Sequence, residues 1–312
     1  MPFNTFNSVA KLSKKRGGGP PSITFSNPSL VTTTTHWVTD ASYRVFSITG
    51  TNSPDTQYWP STTPPITCSI YCESTITIYY LLVGSGGAGG FYEGTTRGGG
   101  GGGGGGFLEG SFNLNGSTVT KNIGIGIAYQ NTRTEGNNGG DGNASRIAVT
   151  SQSINISAGG GGGGGADGNG RSAQTGTTSS GGGGGGAATS NNGYSGGGPV
   201  GKSGGGTAPG TQGGGGGGGP GGNGNSGNSN GGGTGATAVS VGVNTRGIYQ
   251  KFLGTTFCGG GNGGTRAFGP MGNQGGGAYG SGGGGAYNNT TSSPGKGGIV
   301  AIAISVNDIP PL

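Results

Sequence analysis

The sequence predicts a mainly β protein with packed polyglycine-II-type helices and little or no α-helix. Glycine supplies 88 of its 312 residues, about four times the usual share. Stretches of β-branched and aromatic residues bracket the glycine runs, and no segment sustains the apolar period of a helix.

The glycines are unevenly placed, with only five (Gly17, Gly18, Gly19, Gly50 and Gly84) in the first 84 residues. Composition divides the chain into a basic arm at 1–29, a small β-region at 30–73, a glycine-rich β-framed domain at 74–306 and a tail at 307–312. Strands are expected at "LVTTTTHWV" (30–38), "SYRVFSIT" (42–49) and "STITIYYLLV" (74–83). Among the glycines the same signal returns at 117–127, 145–157, 236–243, 246–257 and 297–306. A solvated linker has no need of repeated apolar β-formers, so this alternation argues for order.

The glycine runs span 98–106, 159–165, 181–186 and 213–219. Collagen demands glycine at every third position together with abundant proline, and unbroken runs violate that pattern. An α-helix is opposed by about 1 kcal/mol per glycine. What remains is the extended helix of three residues per turn, whose N–H and C=O groups point sideways. Side by side, such rods can pair their backbones, because the missing Cβ lets the axes approach. Each residue costs about 1–2 kcal/mol to order, so rods need a lattice and a β framework.

Chemistry-bearing motifs are sparse. Charged residues are 8 % of the chain and the net charge is +6. Lys11, Lys14, Lys15 and Arg16 form one basic run, which leaves eleven basic against nine acidic residues. The body therefore lacks a nucleic-acid stripe. No secretory signal peptide is legible in the first 30 residues, and the longest apolar stretch, "IYYLLV" (78–83), is far short of a membrane span, so synthesis in a cytoplasm without membrane insertion is expected. The sequons at Asn115, Asn143, Asn155, Asn288 and Asn289 then lose their meaning.

Cys68 and Cys72 are spaced C-x3-C, Cys258 stands alone, and His36 is the single histidine, a set that supports a zinc site poorly. A Cys68–Cys72 disulfide across a tight turn and reduced buried thiols are the two readings, the second being the blander. "GGGPVGKS" (196–203) fits the P-loop pattern, yet no strand precedes it and no helix follows to supply phosphate-binding amides. Asp141 and Asp167 read as Asx-turn residues, and no tandem calcium β-roll repeat is present. No nucleophile, base and orienter can be assembled, so the chain is expected to be no enzyme, with no cofactor and no metal.

The order "IYYLLVGSGGAGGFYEG", "GGGGGGGGGFLEGSFNLNGSTVTKNIGIG", "SQSINISAGGGGGGG", "GIYQKFLGTTFCGGGNGG" and "SPGKGGIVAIAISV" resembles the glycine-rich domain of phage tail-fibre adhesins and of minor capsid or surface proteins of large eukaryotic DNA viruses. The resemblance runs from about Thr75 to Val306 and implies a sandwich of packed glycine helices. In the adhesins, tip loops contact the host; in the large-virus relatives, the domain lies on the particle surface. The short "TFNSVAKL" (5–12) is similar to the penton-docking tail of adenovirus fibres.

The expected function is therefore a structural component of a virion, at a minor capsid, vertex, fibre or spike position. It would dock through Phe3, Phe6, Lys11, Lys14, Lys15 and Arg16 onto capsid, penton or fibre-base proteins, with a homotrimer as the symmetry a fibre would take. The alternative is a receptor-binding adhesin recognising a host surface glycan or protein, in which Tyr92, Phe107, Tyr194, Phe268, Tyr279 and Tyr287 make the contact and can stack on sugar faces. Clustering of these aromatics at one tip favours the adhesin; scattering favours a rim cap over the glycine array. A cellular glycine-rich wall or ice-associated protein is the third reading, and the regular tripeptide spacing of packed-glycine ice-binding proteins is missing from the sequence.

Overall fold

Alternation along "ITCSIYC" and near-continuous apolar character in "ITIYYLLV" and "IVAIAIS" divide the strands into those buried on one face and those buried on both. The computed structural model describes residues 22–38, 41–50, 66–92, 98–128, 138–165, 204–205, 213–228, 232–240, 255–264, 275–287 and 292–305. Among these residues there is no α-helix.

Ten strands build two five-stranded antiparallel sheets. The first has the order β1-β4-β8-β9-β10, from β1 (Ser22–Phe25), β4 (Ile66–Cys72), β8 (Ser117–Gly126), β9 (Ser145–Val149) and β10 (Ile154–Ala158). The second runs β2-β3-β14-β5-β7, from β2 (Thr32–Val38), β3 (Ala41–Thr49), β14 (Ile299–Ser305), β5 (Ile76–Val83) and β7 (Phe107–Leu114). Residues 30–73 thus share both sheets with strands from the glycine-rich part of the chain. Ile66, Cys68 and Ile70 meet Ile78, Leu82, Val300 and Ile302 in the core between the sheets. The other face of the second sheet presents Val45, Leu81, Val83, Ile299 and Ala301, which are covered by Phe257 and Cys258. β5 and β14 are consequently apolar on both sides.

At Val83 the chain leaves the sheet without leaving its partner. Val83 faces Phe107 in the β5–β7 ladder, and beyond it Gly84, Gly87 and Gly90 donate to the carbonyls of Gly106, Gly103 and Gly100 at 2.8–2.9 Å. The hydrogen-bond period has changed from two to three, as an extended three-residue helix requires. The same change occurs where β10 enters 159–165 and where 292–298 enters β14.

Among the described residues ten such rods follow in chain order: rod 1 (84–90), rod 2 (98–106), rod 3 (138–143), rod 4 (159–165), rod 5 (213–219), rod 6 (222–228), rod 7 (232–238), rod 8 (258–264), rod 9 (280–285) and rod 10 (292–298). The nine-glycine rod 2 is the hub. Gly100, Gly103 and Gly106 donate to rod 4, Gly101 and Gly104 to rod 5, and Gly102 and Gly105 to rod 9; Gly261 and Gly264 of rod 8 donate back to Gly102 and Gly99. With rod 1, five neighbours hold it through bonds of 2.6–2.9 Å. A Cβ on Gly102 would collide with the Gly87 carbonyl, and one on Gly105 with that of Gly84.

Rods at the rim follow a different rule. In rod 3, Gly139 and Gly142 are buried while Asn138, Asp141 and Asn143 are only partly so; in rod 6, Gly227 is buried while Asn225, Ser226 and Asn228 are exposed. Rod 2 needs glycine on all three faces, whereas rim rods carry polar residues on the face turned outward. Tripeptide spacing, absent from the long runs, is present here.

Gly102→Ala must push rods 1 and 2 apart and is expected to cost at least about 3 kcal/mol, whereas Ser226→Ala on the outer face of rod 6 should stay within about 0.5 kcal/mol. Urea midpoints of the two variants check this directly; equal midpoints would contradict the close-approach account.

Candidate functional site

Rod direction gives the molecule two ends. Rod 1 leaves the sandwich at Gly84, and rod 9 starts at Gly280, bonded to Gly105 beside it. Both run away from the sheets, to Gly90 and to Ala286, which accepts from Gly99 at the start of rod 2. There β6 (Phe91–Tyr92) and β13 (Ala286–Tyr287) pair in parallel, so Tyr92 stands opposite Tyr287 at the lattice tip. Ser22, in contrast, pairs with Tyr71, and Ser305 pairs with Tyr43, both at the end of the sandwich remote from the lattice.

The predicted contact aromatics therefore separate. The backbones of Tyr92 and Tyr287 pair in register at the tip. Phe107 lies instead at the sandwich–lattice junction, 5.6 Å from the Phe257 ring, which stacks on Tyr279 at 6.2 Å. This trio covers the outer face of the second sheet, with the short pair β11 (Val239–Ser240) and β12 (Thr256–Phe257) beside it. Phe107 and Tyr279 thus pack over the outer face of the second sheet. Tyr194 and Phe268, the arm residues Phe3, Phe6, Lys11, Lys14, Lys15 and Arg16, Asp167 and the P-loop-like stretch 196–203 lie outside the described residues.

Polar side chains near the rods complete backbone pairing. Ser145 Oγ donates to the Val83 carbonyl at 2.6 Å and accepts from the Ala128 N–H at 3.1 Å, closing the seam between the sheets where rods begin. Ser85 Oγ accepts from the Asn143 N–H at 2.7 Å. Asp141 is not a turn residue: it sits in rod 3, and its Oδ1 accepts from the Gly163 N–H at 2.9 Å. Lys296 Nζ donates to the Gly277 carbonyl at 2.7 Å, a turn that Ser281 Oγ also grips through the Gly276 carbonyl at 2.9 Å. Sequence reasoning missed these roles, because small polar residues amid glycine look alike whether they bond locally or across rods.

The cysteines are reduced and buried. Cys68 and Cys72 share one face of β4, four residues apart, a separation of about 13 Å along a strand, so no disulfide can join them. Desolvation pushes the Cys68 thiol up to about 12, and burial raises Cys258 as well. No group of three His, Cys, Asp or Glu side chains suited to a metal occurs among the described residues. No helix among them is long and apolar enough to cross a membrane.

A period-three backbone lattice springing from a β framework is thus the central feature of this chain, and it coincides with a sequence match. Residues 63–305 match the family described as "Glycine-rich domain". The chain belongs to that family. The match begins just before β4 and ends at the last residue of β14, so it takes in every rod together with the strands that hold them. No curated protein matches the chain.

Native protein at pH 8 should leave all three thiols unlabelled by a maleimide, and denaturant should release all three. Because the folded Cys68 thiol ionises above its ordinary value of 9.0, its contribution is whole below pH 9 and is lost as pH rises toward about 12. Stability measured across that window should decline less in Cys68→Ala than in the parent; rapid native labelling would contradict the burial.

Proposed function

We propose that the chain is a structural protein of a virus particle, anchored at one end and displaying a rigid glycine-rich body at the other. The observation that carries this reading is polarity. The strand β1, which lies within the arm segment 1–29 after its basic run, begins at the sandwich end remote from the rods, and β14 finishes at that same end. An arm bearing Phe3, Phe6, Lys11, Lys14, Lys15 and Arg16 would then meet capsid, penton or fibre-base proteins while the lattice points away from them. The stiffness needed of a displayed body comes from rod 2, bonded to five neighbours, where a flexible glycine linker would have none. The role assigns no catalytic step and no cofactor, and it places the protein in the virion after synthesis in a host cytoplasm.

A second reading, the receptor-binding adhesin, is favoured by one observation: Tyr92 and Tyr287 in register at the tip, opposite the anchoring end. Stacking of a sugar face on such a pair is chemically reasonable. It uses the same polarity and adds a host glycan as partner.

Immunogold electron microscopy with antibodies against residues 74–306, applied to cells that make this protein, is expected to decorate virus particles, and deletion of residues 1–21, which leaves β1 in place, should release the protein from them. Label confined to a cell wall or to the cytosol would overturn the virion reading. Host-cell binding by the purified full chain that is lost at least tenfold in Tyr92→Ala/Tyr287→Ala would select the adhesin form.

A further inference from the structure

Residues 275–280 run beside β12 as a strap. The Ala278 N–H donates to the Thr256 carbonyl at 2.7 Å, and the Tyr279 carbonyl accepts from the Cys258 N–H at 2.9 Å, which stacks the Tyr279 ring on Phe257 at an interplanar angle of 20°. Beneath the strap, Phe257 and Cys258 are wholly buried against Val83 and Ile299 of the second sheet. The strap itself buries little: Gly276 and Ala278 are exposed, and Gly277 and Tyr279 are only partly buried. It bends at Gly277, whose φ of 124° is a conformation that glycine takes at little cost. A segment with few buried apolar contacts and exposed backbone lies at the low end of local stability. Its ends, by contrast, are pinned, since the Gly275 N–H donates to the Gly282 carbonyl at 2.8 Å and the Gly280 N–H to that of Gly297 at 2.9 Å.

Two polar side chains close it. The Ser281 hydroxyl lies 2.9 Å from the Gly276 carbonyl and 3.2 Å from that of Gly277. Lys296, the one basic residue of the ten described rods, extends from rod 10 and donates its Nζ to the Gly277 carbonyl at 2.7 Å. A bond from an ammonium is stronger than one between neutral groups, and this one joins the middle of the strap to a rod that continues into β14. We propose that residues 276–279 are a strap latched by Lys296, whose release opens the junction over Phe257 while the sheets and rods stay folded. The pinned ends confine the movement to 276–279. Opening parts Tyr279 from Phe257 and bares that ring beside Phe107, so the chain holds in reserve an apolar patch that the closed strap hides.

The test is amide hydrogen exchange on the full-length chain and on its Lys296→Met variant, read at Ala278, Cys258 and Gly259, whose N–H groups make the bonds between the strap and residues 256–259. Loss of the ammonium is expected to speed these amides by about tenfold or more and to leave β5 and β14 unchanged. Unchanged strap amides in a folded variant would overturn the proposal, as would a rise shared equally with β5 and β14, which is the mark of general destabilisation. A second measurement needs no variant. In the parent chain, under urea below its unfolding transition, a small opening exposes little surface, so the strap amides should respond weakly where those of β5 and β14 accelerate steeply. The same steep response in both would mean that the strap opens only with the whole fold, and the proposal would fail.

Discussion

The structure depends on one interaction, the hydrogen bond from a glycine N–H to the carbonyl of a neighbouring rod, made possible by the absence of Cβ. Its net worth is about 0.5–1.5 kcal/mol, while ordering a residue costs about 1–2 kcal/mol and glycine most of all. A bundle of rods joined by these bonds alone would barely hold. What changes the balance is that the rods continue strands already fixed by a hydrophobic core. Twenty buried residues pack between the sheets, so rods 1, 2, 4 and 10 leave the sandwich in register, with their positions relative to one another largely set. Once inside, a backbone group left unpaired would carry a desolvation cost, so pairing becomes close to obligatory.

The junction shows how two periods coexist. β5 and β7 pair residue for residue up to Val83 and Phe107. One residue later the same two segments bond at every third residue, and the N–H groups between turn to other neighbours: Ser85 to Asn143, and Gly86 to Lys296. A flat ladder thereby opens into a three-dimensional lattice. Ser145 sits where the sheets would otherwise part, and its hydroxyl supplies the one donor and one acceptor that neither period provides. The glycine composition is thus a packing requirement, graded from rod 2, which needs glycine everywhere, to rim rods that carry side chains on their outward face.

Much of this was legible in the residues. The β-formers at 74–83 and 297–306 became the doubly buried β5 and β14, and the runs at 98–106, 159–165 and 213–219 became interior rods. Other elements were hidden for physical reasons. β4 alternates cleanly, yet its cysteines drew attention to redox chemistry instead of to period two. β7 contains Gly110, whose missing side chain leaves room for the Tyr80 ring, so its strand signal is weak. The stretch 145–157 read as one strand and is two, divided at Ser153, whose φ of 54° turns the chain back. Rim spacing such as Gly139–Gly142 lasts only two repeats within any one rod, too short to stand out in a glycine-rich sequence. The tip was beyond reach altogether, because the pairing of Tyr92 with Tyr287 depends on rods nearly two hundred residues apart.

Amide hydrogen exchange on the purified full-length chain tests the central claim most directly, read across 98–106, 159–165 and 213–219. Rods paired in a lattice should exchange only through global opening, with protection near that of β5 and β14. Exchange at the rate of an unstructured glycine chain, with the sandwich strands still protected, would contradict the account and leave the sheets without the lattice they are said to anchor.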